Sequence, residues 1–275
     1  MMSPEVSTIF VLVLFGTASF CGIAWVRTRS VFLRRLGIWL TVLAFASQTL
    51  MLLLGFHKTM PDGLSAGAYI QLLAWFVMLG GIVVWRGVRQ ATPLLCSVPL
   101  CLALFAVSLP CLDAVVTLPA SVQNSFYALH IGALFSSLGL LSIAFFAGLI
   151  FLFLEGRIKN KQHMPGFWQD MPAIFLLDKI NAFAVLTAFP LYTLGIISGM
   201  AWAEPVFGTS VTGDPKEVMS IVIWLVFGVL FHYRLIMEWK GRKPARWAVC
   251  IFLLCLFSFV VINTIMNTHH TFIRG

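Results

Sequence analysis

Eight apolar runs, each close to the length of a membrane-spanning helix and separated by short polar connections, organise this sequence. They are Val6–Val26, Leu36–Phe56, Gly67–Trp85, Leu94–Leu112, Ala128–Leu154, Ala182–Ala203, Val218–Met237 and Trp247–Met266. A helix of ~20 residues crosses the ~30 Å hydrocarbon core of a bilayer, so each run is read as a transmembrane helix. Strands of a membrane barrel are shorter and alternate apolar with polar positions. Inside lipid every backbone N–H and C=O must be paired within its own segment, and a helix does that. The pattern predicts an all-α polytopic integral membrane protein with eight transmembrane helices. No Ser- or Gly-rich linker interrupts it, so residues 1–275 are expected to form a single transmembrane domain. Met1–Glu5 holds no basic residue, and the first run is therefore read as a retained helix, not a cleaved signal.

Composition agrees with the runs: 60% of residues are hydrophobic and 10% are charged, against about 25% charged in soluble domains. The formal net charge of +8 raises the question of nucleic acid, but its distribution points elsewhere. Fifteen of the 18 basic residues fall in alternate connections, and only Lys58, Lys216 and Arg274 fall in the others. The positive-inside rule then places the basic loops in the cytoplasm and both termini outside, on the periplasmic face of the cell (inner) membrane. Anionic lipid headgroups account for the charge, and no nucleic-acid partner is expected. The long basic loop, Gly156–Asn181, includes Ile174–Ile180, which is expected to lie along the membrane surface as a short amphipathic piece. The six cysteines form no C-x-x-C pair, and there is no P-loop, G-x-G-x-x-G, H-E-x-x-H or G-x-S-x-G signature.

One polar stretch stands out, "WAEPVFGTSVTGDPKE", residues 202–217, on the outer side between the sixth and seventh runs. Its end has a local explanation. Asp214 is expected to N-cap the seventh helix, Pro215 suits the first helical position, and Glu217 completes a box-like pattern three residues after the cap. Trp202 sits at a run end, where tryptophan collects at membrane interfaces.

Among so few polar residues the histidines are the candidate ligands. His57, His130, His269 and His270 lie at outer ends, His163 in the basic loop, and His232 within the seventh run. His232 is 14 residues beyond Val218, about 21 Å along the helix, in its inner third. Imidazole is a common axial ligand to haem iron, which makes His130 and His270 candidates beside the polar stretch. Two readings stay open for each: a metal ligand, or an interfacial histidine satisfied by water and headgroups. For His232 the choice is between a functional intramembrane group and a hydrogen bond to a neighbouring helix.

The stretch resembles the haem-handling loop of the cytochrome c assembly family, in its CcsA/ResC/HemX-like branch. Gly199, Trp202, Ala203, Gly208, Asp214, Pro215, Lys216 and Glu217 stand at that branch's spacing. Pro172, Leu177-Asp178-Lys179, Phe189-Pro190 and Gly195-Ile196-Ile197-Ser198-Gly199 precede it, and "WLVFGVLFHYRL", "GRKPARW" and "NTIMNTHHTF" follow in the family's order. The resemblance implies haem b held on the outer face, with His130 and His270 as axial ligands to iron. It implies a second, inner haem site at His232, and a platform that includes Trp202, Phe207 and Asp214. Three family tryptophans are replaced here by Phe207, Val211 and Gly213, which predicts a looser seat because flat aromatic faces stack on a porphyrin. The implied function is to bind and convey haem in cytochrome c biogenesis, presenting it for attachment to apocytochrome c. The chain would be a subunit of a haem lyase system, alongside a Ccs1-like membrane partner, and not an enzyme alone. The alternative is a HemX-like membrane protein that regulates haem biosynthesis, at the level of glutamyl-tRNA reductase, through protein contacts.

Overall fold

The computed structural model describes residues 4–59, 64–88, 92–112, 115–116, 125–163 and 171–258. These residues form eight helices: α1 (Pro4–Thr28), α2 (Val31–Thr59), α3 (Ala66–Val88), α4 (Thr92–Ser108), α5 (Ser125–Lys159), α6 (Ile174–Phe207), α7 (Pro215–Leu235) and α8 (Arg242–Phe257). Six of them, α1 to α3 and α5 to α7, are long and apolar enough to cross a membrane. The protein is thus an all-α, multi-pass membrane protein. α4 has 17 residues, and α8 has 16 as far as it is described. The remainder of the last apolar run, from residue 259 on, lies outside the described residues. A two-residue pairing, β1 (Leu64–Ser65) with β2 (Val115–Val116), ties the α2–α3 connection to the α4–α5 connection.

The chain divides into two compact units, Met1–Thr117 with Gln162–Pro172, and Leu118–Lys161 with Ala173–Gly275. In the first, Val11, Phe15, Ala44, Val77, Met78, Val98 and Phe105 fill the space between α1, α2, α3 and α4. A polar clasp is buried among them. The Gln71 side-chain amide donates to Thr8 Oγ1 and to Ser108 Oγ, both at 3.2 Å, and Gln48 Nε2 donates to Gln71 O at 2.8 Å. One residue from each of the four helices takes part, because each amide proton left unpaired in an apolar interior is costly.

In the second unit α5 and α6 run antiparallel in close register. Ser137 Oγ donates to Ala188 O at 2.8 Å, and Asn181 Nδ2 donates to Ala144 O at 2.7 Å. Small residues at the seam, Ala144, Ala184, Ala188 and Gly195 among them, let the two backbones approach, the usual device where lipid gives no hydrophobic drive to helix association. Phe227 and Leu230 of α7 and Ala248 and Ile251 of α8 complete this core.

Two expectations are corrected at the end of the unit where α6 begins. Ile174–Ile180 is no separate surface piece. It forms the first turns of α6, because Leu177 and Ile180 are buried against the unit. Arg234, counted from the sequence among the basic residues of the alternate connections, belongs to α7 and is buried. Its guanidinium meets Asp178 Oδ1 at 3.0 Å, Asn181 Oδ1 at 2.6 Å and Trp239 O at 2.8 Å. Asp178 Oδ1 also accepts from the Gly241 N–H at 3.0 Å. A charge at the end of an apolar run need not face water when a carboxylate, a side-chain amide oxygen and a backbone carbonyl converge on it.

Candidate functional site

The opposite end of the second unit carries most of the sequence-derived candidates. α6 does not stop at Trp202. It continues to Phe207 and ends where Gly208 adopts a left-handed conformation, φ 73°, with its N–H on Glu204 O at 2.9 Å. Only residues 208–214 are therefore loop, and Trp202 belongs to a helix. Its indole is 6% exposed, not presented to an interface as expected, and lies 5.3 Å from the Tyr127 ring of α5 at 42°.

The end of the loop matches its expected local account. Asp214, buried, accepts from the Lys216 N–H at 2.8 Å and so caps α7, with Pro215 in the first turn. Glu217 reaches further back than a capping box requires. Its carboxylate accepts from Thr212 N and Thr212 Oγ1, both at 2.9 Å, and from Gly213 N at 3.2 Å. Both acids are thus engaged in shaping the loop. Gly213 has φ 77°, a conformation that side-chain-bearing residues rarely adopt. At this position, where the resembling family carries a tryptophan, the chain has turned to a backbone that favours glycine. Val211 is exposed, and the side chain of Phe207 lies outside the described residues.

His130, on the second turn of α5, sits directly against α6. Its Nδ1 is 2.7 Å from Gly195 O. A carbonyl only accepts, so Nδ1 carries the proton, and the neutral ring keeps its lone pair on Nε2. This is the arrangement found at metal-ligating histidines, where a hydrogen bond on one nitrogen fixes the tautomer and aims the other. Gly199 supplies the space. A Cβ there would fall 2.5 Å from His130 Nδ1 and 2.6 Å from Cε1. One turn away Gly195 makes the same room for Leu134, where a Cβ would fall 2.6 Å from Cδ2. The two glycines of the Gly195–Gly199 segment thus form a seat for His130 and its neighbour one turn on.

The other candidates stand apart. His232 is in the last turn of α7, its side chain exposed and without a hydrogen bond among the described residues. His269 and His270 lie outside the described residues, as does the side chain of His57. His163 is exposed after α5. Among the described residues no group of three or more His, Cys, Asp or Glu side chains is placed to hold a bare metal ion. A single axial imidazole is a separate matter, since a porphyrin brings four ligands of its own. Sequence reasoning missed two features here, the glycine seat and the α6 carbonyl that orients His130. The five-residue segment Gly195–Gly199 was visible as a landmark without its physical role.

Comparison with known proteins places this geometry in context. The model of a family described as Cytochrome C assembly protein matches residues 67–270. A protein of Chlamydomonas reinhardtii named cytochrome c biogenesis protein CcsA is 31% identical over 152 residues, covering 55% of this chain and 42% of that protein. One of the same name from Prochlorococcus marinus is 28% identical over 218 residues, 70% of each chain. A third, from Microcystis aeruginosa, is 35% identical over 96 residues, 29% of its length. The match to the algal protein therefore spans less than half of that relative.

Proposed function

Since the chain belongs to the cytochrome c assembly protein family, by a match over residues 67–270, we propose that it binds haem and conveys it for attachment to apocytochrome c. The observation that carries this reading is the His130 seat: Nδ1 tied to Gly195 O, Nε2 left for a metal, and the ring held by the gap at Gly199. The residues fit a haem as cargo. His130 and His270 would hold its iron, and Trp202 packs on Tyr127, three residues before His130 on α5. Phe207 and Asp214 belong to the same platform, Asp214 by holding the start of α7. His232, exposed on α7, is the ligand of a second, inner site. Haem b supplies the reactive periphery, the apocytochrome supplies the thiols, and a Ccs1-like membrane partner completes the assembly. This chain's own residues bind and orient the cargo. The relatives quoted carry a biogenesis name, which favours this reading over a regulatory one.

In this reading residues 1–275 form one membrane domain of eight crossings in the inner membrane. Both termini and the His130 seat face the periplasm, as the distribution of basic residues supports. A reporter active only in the cytoplasm, fused after Gly275, should be silent; activity would put the seat on the wrong face.

The ligand assignment is tested by supplying haem to the purified wild type, His130→Ala, His270→Ala and His269→Ala, and recording reduced spectra. The first two variants should lose haem or convert it to a five-coordinate form, and His269→Ala should match wild type. Haem retained unchanged in the His130→Ala, His270→Ala double variant would sink the assignment.

A further inference from the structure

The turn that joins α7 to α8, residues 236–241, is braced by the Arg234 cluster. Arg234 Nη1 donates to Trp239 O at 2.8 Å, the Gly241 N–H donates to Asp178 Oδ1 at 3.0 Å, and the Trp239 N–H returns to Tyr233 O at 3.1 Å. The Trp239 ring stacks on Tyr233 at 4.0 Å and 15°. α8 leaves this turn with Pro244, Ala245 and Ala248 buried. Gly148 of α5 lets it come close, since a Cβ there would fall 3.0 Å from Ala245 O. The opposite face of α8 is thereby fixed outward.

That face changes character along its length. Lys243 and Arg246 are exposed at its start, and Trp247, Cys250, Leu253 and Phe257 follow, exposed on the same side. From Trp247 to Phe257 the helix rises about 15 Å, half of the ~30 Å hydrocarbon core and so the depth of one leaflet. α7, long and apolar enough to cross a membrane, ends at Leu235, so the turn and the two cations stand where a bilayer meets water. Lys243 Nζ lies 5.4 Å from the centroid of the Trp239 ring. A ring face holds an ammonium in place without cancelling its charge, as a carboxylate would. The neighbouring cations do have acids: Lys240 pairs with Glu238 at 3.7 Å and Arg242 with Glu155 at 3.5 Å. Among the described residues Lys243 and Arg246 have none.

We propose that Lys243 and Arg246, with Trp239 steadying the first, form a binding site for one anionic phospholipid. Its phosphodiester meets the two cations, and an acyl chain lies along Trp247, Cys250, Leu253 and Phe257. A basic face attracts anionic lipid diffusely, wherever its charges lie. Here the two cations stand one turn apart on a braced helix, and a guanidinium can engage two phosphate oxygens at once. A zwitterionic lipid brings its own ammonium to the same cations and is disfavoured. The site is independent of the haem reading, since its residues lie at the end of the second unit away from His130. When occupied it ties the α7–α8 turn, and with it the Arg234 cluster, to the membrane surface.

The test is native mass spectrometry of the full chain in detergent, titrated with dioleoylphosphatidylglycerol and with dioleoylphosphatidylcholine. Wild type should take up one molecule of the anionic lipid roughly tenfold more tightly than the zwitterionic one, within what two cations near a headgroup supply. The Lys243→Gln, Arg246→Gln double variant should bind the two lipids alike. Arg246→Gln alone, which leaves the Lys243–Trp239 contact, should lower the preference to about threefold. Lys159→Gln, Lys161→Gln removes the same charge at and just after the end of α5, also from exposed positions, and should keep the wild-type preference. An equal loss in the two double variants overturns the proposal, because it marks the attraction as diffuse. So does a wild type indifferent to headgroup charge, an outcome that needs no variant to fold.

Discussion

Gly199→Ala is expected to abolish the His130-ligated haem spectrum while leaving the helices in place. The added Cβ would fall 2.5 Å from Nδ1 and 2.6 Å from Cε1 of His130, inside any tolerable contact. Two responses are open to the protein. α5 and α6 can part, which breaks a seam of small residues and costs about 1–3 kcal/mol, the usual range for overpacking. Or the ring can rotate away, which forfeits the bond to Gly195 O and turns Nε2 from its aim. The second is cheaper in stability, because a ring on two rotatable bonds moves more easily than a helix, and it destroys the ligand. A control is available on the neighbouring helix. A Cβ at Gly132, two residues beyond His130, meets nothing within 4 Å, so Gly132→Ala should keep both spectrum and stability. Reduced spectra and melting curves of the two variants decide the matter. A wild-type spectrum in Gly199→Ala would mean that His130 is not the ligand.

Asp178→Ala should lower stability by about 3–5 kcal/mol, the range for leaving one partner of a buried pair uncompensated. Arg234 would remain enclosed, its side chain 2% exposed, with Asn181 and Trp239 O but without its counter-charge. The Gly241 N–H would lose its acceptor as well, freeing the turn between α7 and α8. Asp178→Asn keeps an acceptor for both donors and should cost clearly less. Lys240→Ala breaks an ion pair with Glu238 whose partners are 72% and 79% exposed, and it should shift the melting point hardly at all. Thermal unfolding in one detergent compares all three variants. Equal effects of Asp178→Ala and Lys240→Ala would show that the Arg234 cluster contributes no more than a surface contact.

These two effects differ in how far the sequence foretold them. The helices were legible because lipid makes length and apolarity nearly sufficient evidence. The cap at Asp214 was legible because its partners lie within three residues, and Asp-Pro at a helix start has few other uses. Arg234 was not. Its counter-charge lies 56 residues away, and a basic residue at the end of an apolar run reads as a loop charge until a partner is seen. Trp202 was misjudged for a related reason. A tryptophan at a run end resembles an interface anchor, and only the continuation of α6 to Phe207 shows it to be interior. His130 was picked out by type and place, but its tautomer depends on a carbonyl 65 residues on, which no spacing reveals.

The polar clasp in the first unit has a consequence for the order in which the chain is made. Gln71 needs two acceptors, and they arrive at different times: Thr8 is 63 residues upstream, and Ser108 is 37 residues downstream. When α3 enters the bilayer, one amide proton finds Thr8 waiting and the other has no acceptor yet. At about 5–20 residues per second, the downstream acceptor leaves the ribosome some seconds later. Until then that amide proton lacks its partner in the finished structure, and the arrival of α4 removes the cost. Ser108, at the end of α4, is therefore the last partner to arrive, and the clasp is complete only when all four helices are in place.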